Sequence, residues 1–176
     1  MTQGTAIARY NGVARALHWT IAVLIIGNLL GGFLHDALEP FVRIMPLHKA
    51  VGLTVLALSL VRAVWRLTSK APPLPADMSR WETGAAHATH FAFYLLIIAL
   101  PLTGWIVASA GKYPLSWFGL FDVPKLAVTR DDALYAIGHE GHELMGVMAA
   151  VLIALHVGAA LRHHFVLKDN VLRRMA

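Results

Sequence analysis

The sequence predicts an all-α membrane protein, a bundle of four transmembrane helices with both termini in the cytoplasm. Three observations support this fold class. Hydrophobic residues make up 57% of the chain and charged residues only 14%, whereas about a quarter of a soluble domain is charged. Four apolar segments approach the roughly 20 residues that a helix needs to cross a bilayer. Lysine and arginine are distributed unevenly between the two sides of these segments.

The four apolar segments cover residues 17–34, 48–64, 86–109 and 142–161. We expect each to be a helix, because a helix satisfies its own backbone hydrogen bonds in lipid. A length of 176 residues favours a single domain over residues 1–176. The absence of cysteine excludes disulfides, thiolate metal sites, iron–sulfur clusters and covalently attached haem.

The linkers between the segments differ in character. Residues 68–82 are polar and rich in proline, so this linker cannot be helical throughout. The longest linker, residues 110–129, contains the aromatic stretch YPLSWFGLF, which is too short to span and is expected to lie at the membrane surface. Thr129 is predicted to cap the fourth helix, with Asp131 and Asp132 at the positive end of its dipole.

The distribution of positive charge predicts the orientation. Ten of the 15 lysine and arginine residues lie in the two tails or around the linker between the second and third segments. The positive-inside rule therefore puts both termini in the cytoplasm. In a soluble protein, a formal charge of +5 would suggest a nucleic-acid partner. Here the positive residues flank apolar helices, so the expected partner is the lipid bilayer and not nucleic acid.

Two histidines of the fourth segment point to one side of its helix. His142 and His156 are 14 residues apart, which is ~21 Å along the axis and about 40° short of four full turns. In the predicted orientation, His142 lies near the outer face, as does His48 at the start of the second segment. His156 lies toward the inner face, as does His18 in the first segment. The depths therefore pair His48 with His142 and His18 with His156.

An imidazole on each side of a flat ring is the ligation of haem b, and helical bundles build such sites from facing side chains. The sequence thus predicts two haem b groups, with these four histidines as ligands of the iron. Nearby small residues would let a flat ring approach: Gly52, Gly146 and Gly158. A single histidine in an apolar helix more often bonds a neighbouring backbone or hydroxyl group. Two pairs at matching depths favour haem, because ionisable groups inside a membrane are usually functional.

Other polar residues near the inner face are candidates for supporting contacts. His87 and His90 open the third segment and could compete with the first-helix histidine for the inner haem. Arg62 follows His48 by 14 residues, on the ligand face, where it could pair with a haem propionate. The alternative for Arg62 is an ordinary positive flank. His163, at the inner surface, could contact a propionate or a quinone, or be solvated.

Four stretches of the chain resemble the prokaryotic cytochrome b561 family: ALHW at residues 16–19, LHKAVG at 47–52, AHATHFAFYLLIIALPLTGW at 86–105 and LHVGAALRHHFVLKDNVLRRM at 155–175. The resemblance covers nearly the whole chain. It implies a four-helix protein of the bacterial inner membrane, with two haem b groups held by helices one, two and four. Carried over to this chain, the implied ligands are the same four histidines that pair by depth.

The resemblance also implies electron exchange with a membrane quinone such as ubiquinone. Some family members are described as oxidising superoxide with ubiquinone as acceptor, so any enzymatic activity would be that of an oxidoreductase. We expect the quinone site at the inner end, near His163, Arg162 and Arg15. One alternative is a haem b anchor subunit that passes electrons to a partner protein in a dehydrogenase or hydrogenase. An ion transporter is disfavoured, because the four spans contain no Asp or Glu except Glu143, next to the first residue of the fourth span.

Overall fold

The computed structural model describes residues 9–73 and 78–176, and most of these residues are helical. In chain order, the elements are α1 (Gly12–Phe33), α2 (His35–Leu38), α3 (Ile44–Thr68), α4 (Arg80–Ser109), β1 (Ser116–Trp117), β2 (Phe121–Asp122) and α5 (Ala133–Arg162). A π-helical turn (His163–Leu167) and a 3-10 turn (Leu172–Arg174) follow α5. The predicted all-α fold is confirmed, and a short β-hairpin is the one addition in the described chain.

Within the described residues, four helices are long and apolar enough to cross a membrane: α1, α3, α4 and α5. Each coincides with one of the predicted apolar segments and begins several residues before it, although α1 ends one residue before its segment does. Hydropathy identifies only the part of a helix that suits the hydrocarbon core, which is about 30 Å thick. Backbone hydrogen bonds continue the helix into the polar layer, so the observed helices start earlier than the hydropathy pattern does.

Polar side chains fix two of these helix starts. The Asn11 side chain accepts a hydrogen bond of 2.9 Å from the Ala14 N–H and so caps α1. At the start of α4, Ser79 and Glu82 form a reciprocal capping box. Each cap satisfies backbone N–H groups that have no partner inside the helix.

The prediction that Thr129 caps α5 is wrong. The N-cap residue is Asp132, and its carboxylate reaches back to accept hydrogen bonds from the Thr129 N–H at 2.6 Å and from the Thr129 hydroxyl at 2.9 Å. The threonine hydroxyl therefore donates within the preceding turn instead of accepting from the helix. The backbone and hydroxyl hydrogen bonds from Thr129 lower the pKa of the Asp132 carboxyl.

The long helices form a ring in which α1 packs on α3, α3 on α4, and α4 on α5. The fourth side, between α1 and α5, is only loosely closed. Two groups of buried apolar side chains fill the middle of the bundle: Ile21, Ile25, Val55 and Ile97, and then Leu96, Leu100 and Ala149. This apolar layer separates the polar residues at one end of the bundle from those at the other.

The two ends of the bundle differ. The end that contains the start of α1, the start of α4 and the C-terminal segment is called the tail end. There the Tyr10 N–H donates to the Arg174 carbonyl at 3.1 Å, and the Trp19 indole donates to the Met175 carbonyl at 2.8 Å. The Arg174 guanidinium also donates to the Pro73 carbonyl. The C-terminal segment thus ties α1 to the linker that follows α3.

The opposite end, called the hairpin end, contains α2, the β-hairpin and the start of α5. In the hairpin, Trp117 pairs with Phe121. Phe118 and Gly119 turn the chain with φ of 50° and 75°, which are values that glycine adopts without strain. The Trp117 indole donates to the Thr54 hydroxyl at 3.0 Å and so fastens the hairpin to α3. That this segment lies at the membrane surface stays a prediction.

Candidate functional site

The four histidines singled out in the sequence lie in the bundle as two pairs. The ring centroids of His48 and His142 are 6.0 Å apart, with an interplanar angle of 83°. Those of His18 and His156 are 6.5 Å apart, with an angle of 75°. We call them the hairpin-end pair and the tail-end pair. Metal–imidazole bonds are about 2 Å long, so two rings that bind one ion from opposite sides have centroids about 6 Å apart.

In the hairpin-end pair, each ring uses Nδ1 to bond a backbone carbonyl of another helix. His48 Nδ1 is 3.1 Å from the Asn28 oxygen, and His142 Nδ1 is 3.0 Å from the Leu100 oxygen. A carbonyl can only accept, so each Nδ1 carries the proton of a neutral imidazole. Nε2 then has its lone pair free, and this is the tautomer that a metal ligand requires.

Thr103 adds to the contacts of His142. Its hydroxyl donates to the Leu100 carbonyl at 2.8 Å and lies 3.3 Å from His142 Nδ1. The hydroxyl proton is directed to the carbonyl, so the oxygen lone pairs face the imidazole N–H. The N–H is therefore shared between two acceptors.

Two glycines let these rings lie against neighbouring helices. A methyl group added at Gly32 would be 3.0 Å from His48 Cε1, and one at Gly104 would be 2.9 Å from His142 Cε1. Both distances are shorter than normal carbon–carbon contacts, which are about 3.5–4 Å. Any larger residue would therefore displace the ring. Neither glycine can be identified from the sequence, because each lies on a different helix from the histidine it contacts.

The glycines that the sequence did single out make other contacts. A methyl group at Gly52 would be 3.7 Å from the Asn28 amide, and methyl groups at Gly146 and Gly158 would meet no atom of the described chain within 4 Å. Gly146 is nevertheless buried, one turn after His142. The interior at this point can therefore accept a bulky apolar group beside the histidine.

At the tail end, a third imidazole joins the pair. The ring centroids of His90 and His156 are 6.2 Å apart, slightly closer than those of His18 and His156. Phe93 also packs edge-on against His156, at 5.2 Å. Either His18 or His90 is close enough to share a metal with His156, so the competition expected from the sequence stays open in the structure. His87 makes no ring contact with this group among residues 9–73 and 78–176.

Arg62 lies beside the tail-end cluster. Its guanidinium donates to the Ala14 carbonyl at 3.3 Å and sits 5.9 Å from the centre of the Tyr94 ring. It is close enough to interact electrostatically with His18 and His90. The cation thus lies at the depth of the tail-end pair, where the sequence suggested a partner for an anionic group.

Ser59 carries a buried hydroxyl without a hydrogen-bond partner in the described part of the chain. It lies on α3 one turn before Arg62 and one turn after Val55, which places it at the level of the tail-end pair. A buried polar group without a partner costs about 1–3 kcal/mol. Together with the ring spacings and the interior beside Gly146, this hydroxyl fits a large bound group with polar substituents. The residues present therefore suit the predicted haem.

His163 takes part in a fold-back of the chain after α5. Its Nδ1 lies 2.5 Å from an Asp169 carboxylate oxygen, and the other Asp169 oxygen accepts from the Val171 N–H at 2.9 Å. Lys168 makes the bend with a left-handed φ of 55°. Burial raises the pKa of the Asp169 carboxyl, but the hydrogen bonds from His163 and Val171 outweigh it and hold the pKa below its ordinary value.

The other two residues named for the inner end, Arg15 and Arg162, also lie at the tail end. Arg15 lines a cleft of about 430 Å³ between the start of α1 and the C-terminus, together with Trp19 and Met175. Arg162 is engaged elsewhere, since it forms an ion pair with Glu82 at 3.4 Å. The structure thus places Arg15 and His163 at one end of the bundle but brings no contact between them.

Comparison with known proteins gives consistent matches over the chain. The sequence profile described as prokaryotic cytochrome b561 matches residues 9–176. Cytochrome b561 homolog 2 of Escherichia coli K12 is 34% identical over 95% of this chain and 90% of its own length. The probable superoxide oxidase CybB of Yersinia pestis is 32% identical over 95% of both chains. Cytochrome b562 of Cereibacter sphaeroides is 28% identical over 94% of both chains.

Proposed function

Because the chain belongs to the prokaryotic cytochrome b561 family, and is thus a multi-pass bacterial membrane protein that binds haem b for electron transfer, we propose that it holds two haem b groups and exchanges electrons with a membrane quinone. The observation that carries the proposal is the presence of two imidazole pairs with the spacing of axial ligands. When bound, each haem supplies a one-electron redox centre. The two pairs lie ~21 Å apart along α5, so electrons could cross most of the hydrocarbon layer.

In this proposal each histidine ligates iron through Nε2. At the hairpin end, the carbonyls of Asn28 and Leu100 support this role by holding the Nδ1 protons. At the tail end, His18 and His156 are the ligands, with His90 beside them. The buried apolar layer between the two pairs keeps water away from both.

Arg62 and Ser59 are the proposed partners of the propionates at the tail end. Arg62 offers a charge-assisted donor at the depth of the pair, and the Ser59 hydroxyl has no acceptor in the described chain. A propionate near both residues would satisfy the buried hydroxyl and neutralise the cation. His163, whose Nδ1 meets Asp169, is a further proposed contact at this end, for a propionate or for quinone.

We place the quinone at the tail end, near Arg15 and His163, and we place that end in the cytoplasm. The cleft beside Arg15 is open and lies next to Trp19, which suits a ring with polar substituents. The excess of lysine and arginine at this end supports the cytoplasmic orientation and location in the bacterial inner membrane. The hairpin end then faces the outer side.

The candidate for the electron donor is superoxide, which would be oxidised at the hairpin end with quinone as the final acceptor. The relative from Yersinia pestis that is named a probable superoxide oxidase supports this candidate. Three cations lie in the connection between α4 and α5: Lys112, Lys125 and Arg130. Reduction of a soluble ubiquinone analogue by purified protein under a steady superoxide flux would support it, and the control is the same assay with superoxide dismutase. An unchanged rate in the control would exclude superoxide as donor.

The first test of the proposed function is the amount of haem b per polypeptide in protein purified from membranes. A pyridine haemochrome ratio near two supports both pairs. A ratio near one means that only one pair ligates haem, and single replacements of His18 and His48 would identify it. A ratio near zero from a haem-replete culture overturns the electron-carrier proposal. Copurification of a stable second chain would favour the anchor-subunit alternative.

A further inference from the structure

The two histidine pairs differ in what their second ring nitrogens contact. At the hairpin end, both Nδ1 atoms donate to backbone carbonyls, at 3.1 Å for His48 and 3.0 Å for His142. At the tail end, no group among residues 9–73 and 78–176 forms a hydrogen bond with the ring nitrogens of His18 or His156. The four ligand candidates are therefore chemically alike but not equivalent as electron donors to a metal.

A hydrogen bond from the distal ring nitrogen changes the electron density at the metal-binding nitrogen. When Nδ1–H donates to a carbonyl, the imidazole becomes more basic and binds a metal more strongly. The more highly charged ferric ion benefits more from this basicity than the ferrous ion does. Such hydrogen bonding therefore lowers the reduction potential of the iron that His48 and His142 would share.

A nearby charge at the tail end increases the difference between the two reduction potentials. The guanidinium of Arg62 interacts with His18 of the tail-end pair and with the neighbouring His90. Reduction adds one negative charge to the site, so a nearby cation favours the reduced state. At the hairpin end, the charged side chains that interact with the pair have opposite signs: Lys49 acts on His48 and Glu143 acts on His142.

We propose that the carbonyl partners of the hairpin-end pair, positioned by Gly32 and Gly104, make the hairpin-end haem the lower in potential of the two. The inference rests on the proposed function. With both groups bound, one electron would pass, without a proton, from the ferrous hairpin-end haem, which would be oxidised, to the ferric tail-end haem, which would be reduced. Transfer in this direction would be downhill, so the fold favours a donor at the hairpin end and an acceptor at the tail end.

The glycines act in this proposal as positioning residues. Their hydrogen atoms allow the imidazole to approach the adjacent helix closely enough for Nδ1 to meet the carbonyl. A methyl group added at Gly104 would lie 2.9 Å from His142 Cε1 and would therefore push the ring away. Since Cε1 lies between the two ring nitrogens, this displacement would also disturb the hydrogen bond to the Leu100 carbonyl.

The test is an optical redox titration of the purified holoprotein, after its haem content has been measured. We expect two one-electron components in the wild type. Replacing Gly104 by Ala should raise the lower potential and leave the higher one unchanged. The expected change is roughly tenfold in the reduction equilibrium, or about 59 mV for one electron. Gly84→Ala is the matched control, because Gly84 is on the same helix and a methyl there meets no atom of the described chain within 4 Å.

Two further variants show which end of the bundle gives rise to each component of the titration. His48→Ala should remove the component of lower potential, and Arg62→Gln should lower only the component of higher potential. If Gly104→Ala loses its haem, Thr103→Val is the milder substitution, since it removes only one of the two acceptors near His142 Nδ1. The expected shift of the lower component is then in the same direction and smaller.

The outcomes separate the inference from the proposed function. A haem ratio different from two contradicts the proposed function. Two haems with His48→Ala removing the higher component would overturn the inference while the proposed function stands. An unshifted lower component in both Gly104→Ala and Thr103→Val would also overturn it, as would an equal shift in the Gly84→Ala control.

Discussion

The partner of the second ring nitrogen distinguishes the histidines of α5 from one another. His142 directs Nδ1 to a buried carbonyl, whereas His139, three residues earlier, has a side chain that is 45% exposed and pairs with Glu143 at 3.7 Å. In the motif HEGHE, residues 139–143, the sequence alone does not distinguish the two histidines. Their surroundings in the bundle give them different roles, with His142 as the proposed ligand and His139 as a solvated side chain.

Replacing His142 by Ala should therefore remove one of two haem groups. Iron at the hairpin end would lose an axial ligand, and the remaining His48 could not hold a six-coordinate site alone. Pyridine haemochrome analysis should show about half of the wild-type haem per chain. His139→Ala is the matched control and should retain the full content. Full haem content in His142→Ala would contradict the ligand assignment.

The angles between paired rings predict a spectroscopic property of the ferric protein. Both pairs have nearly perpendicular planes, at 83° and 75°. Perpendicular axial imidazoles leave the two iron d orbitals that interact with them nearly equal in energy, which gives a highly anisotropic low-spin signal. Electron paramagnetic resonance at low temperature should show signals of this type for both haems. Rhombic signals typical of parallel imidazoles would contradict the ring orientations seen here.

Residue types in the sequence allowed the histidines to be singled out, but not the groups that hold them. The acceptors are backbone carbonyls of Asn28 and Leu100, and every residue has such a carbonyl. Gly32 and Gly104 are recognisable only once the helices are packed, because no spacing along the chain relates them to His48 or His142. Supporting contacts between helices therefore could not be read from one sequence, whereas the imidazoles themselves could.

At the level of elements, hydropathy predicted the four long helices but not the β-hairpin. The hairpin has strands of only two residues, which are too short for a pattern of alternating polarity to be visible. Its position depends on contacts between distant residues, such as the hydrogen bond from Trp117 to Thr54, and on the buried Leu115. Such a contact between distant residues leaves no local signal in the sequence.

Replacing Thr54 by Val should loosen the hairpin. The variant keeps the shape of the side chain but leaves the Trp117 indole N–H without its acceptor, and a lost hydrogen bond of this kind costs about 1 kcal/mol. Limited proteolysis in detergent should cut residues 110–129 several times faster than in the wild type. Thr68→Val is the control, because the Thr68 hydroxyl bonds two carbonyls of its own helix. Equal rates for the two variants would show that Trp117 does not fasten the hairpin.

The fold-back after α5 should respond to pH through Asp169. Its folded-state pKa lies below the ordinary value, so its charged form stabilises the fold. This contribution is fully present above the ordinary aspartate pKa of about 3.9 and is lost as pH falls through the lower folded-state pKa. At neutral pH, Asp169→Asn should lower Tm by roughly 2–4 °C, the shift that 1 kcal/mol produces in a chain of this size.

The difference in Tm between Asp169→Asn and the wild type should shrink as the pH falls below about 4. The measurement is thermal unfolding of detergent-solubilised protein, followed by the loss of the Soret band across a pH series. Asp131→Asn is the control, because that residue is exposed in the loop before α5. A difference that stays constant into acid would mean that Asp169 does not act through its charge.

At the scale of the whole molecule, two simple quantities predicted which residues meet. Helical rise and the alternating direction of the spans assigned each histidine a depth, and the structure brings together the histidines of equal depth. Depth could not resolve the tail end, where His90 also lies at the level of His156. Three residues at one depth need lateral positions as well, and these depend on how the helices rotate in the bundle.

The orientation of the bundle is the whole-molecule property on which the direction of electron flow depends. The hairpin end should face outward and the tail end inward, because ten of the 15 lysine and arginine residues lie at or near the tail end. The chain has no cysteine, so single cysteines can report each side without a background. An impermeant thiol reagent applied to right-side-out membranes should label Asp122→Cys at once. Ala176→Cys should become labelled only after the membrane is permeabilised. The reverse pattern would place the proposed quinone site at the outer face. Electrons that run from the hairpin end to the tail end would then move out of the cytoplasm, and not toward it.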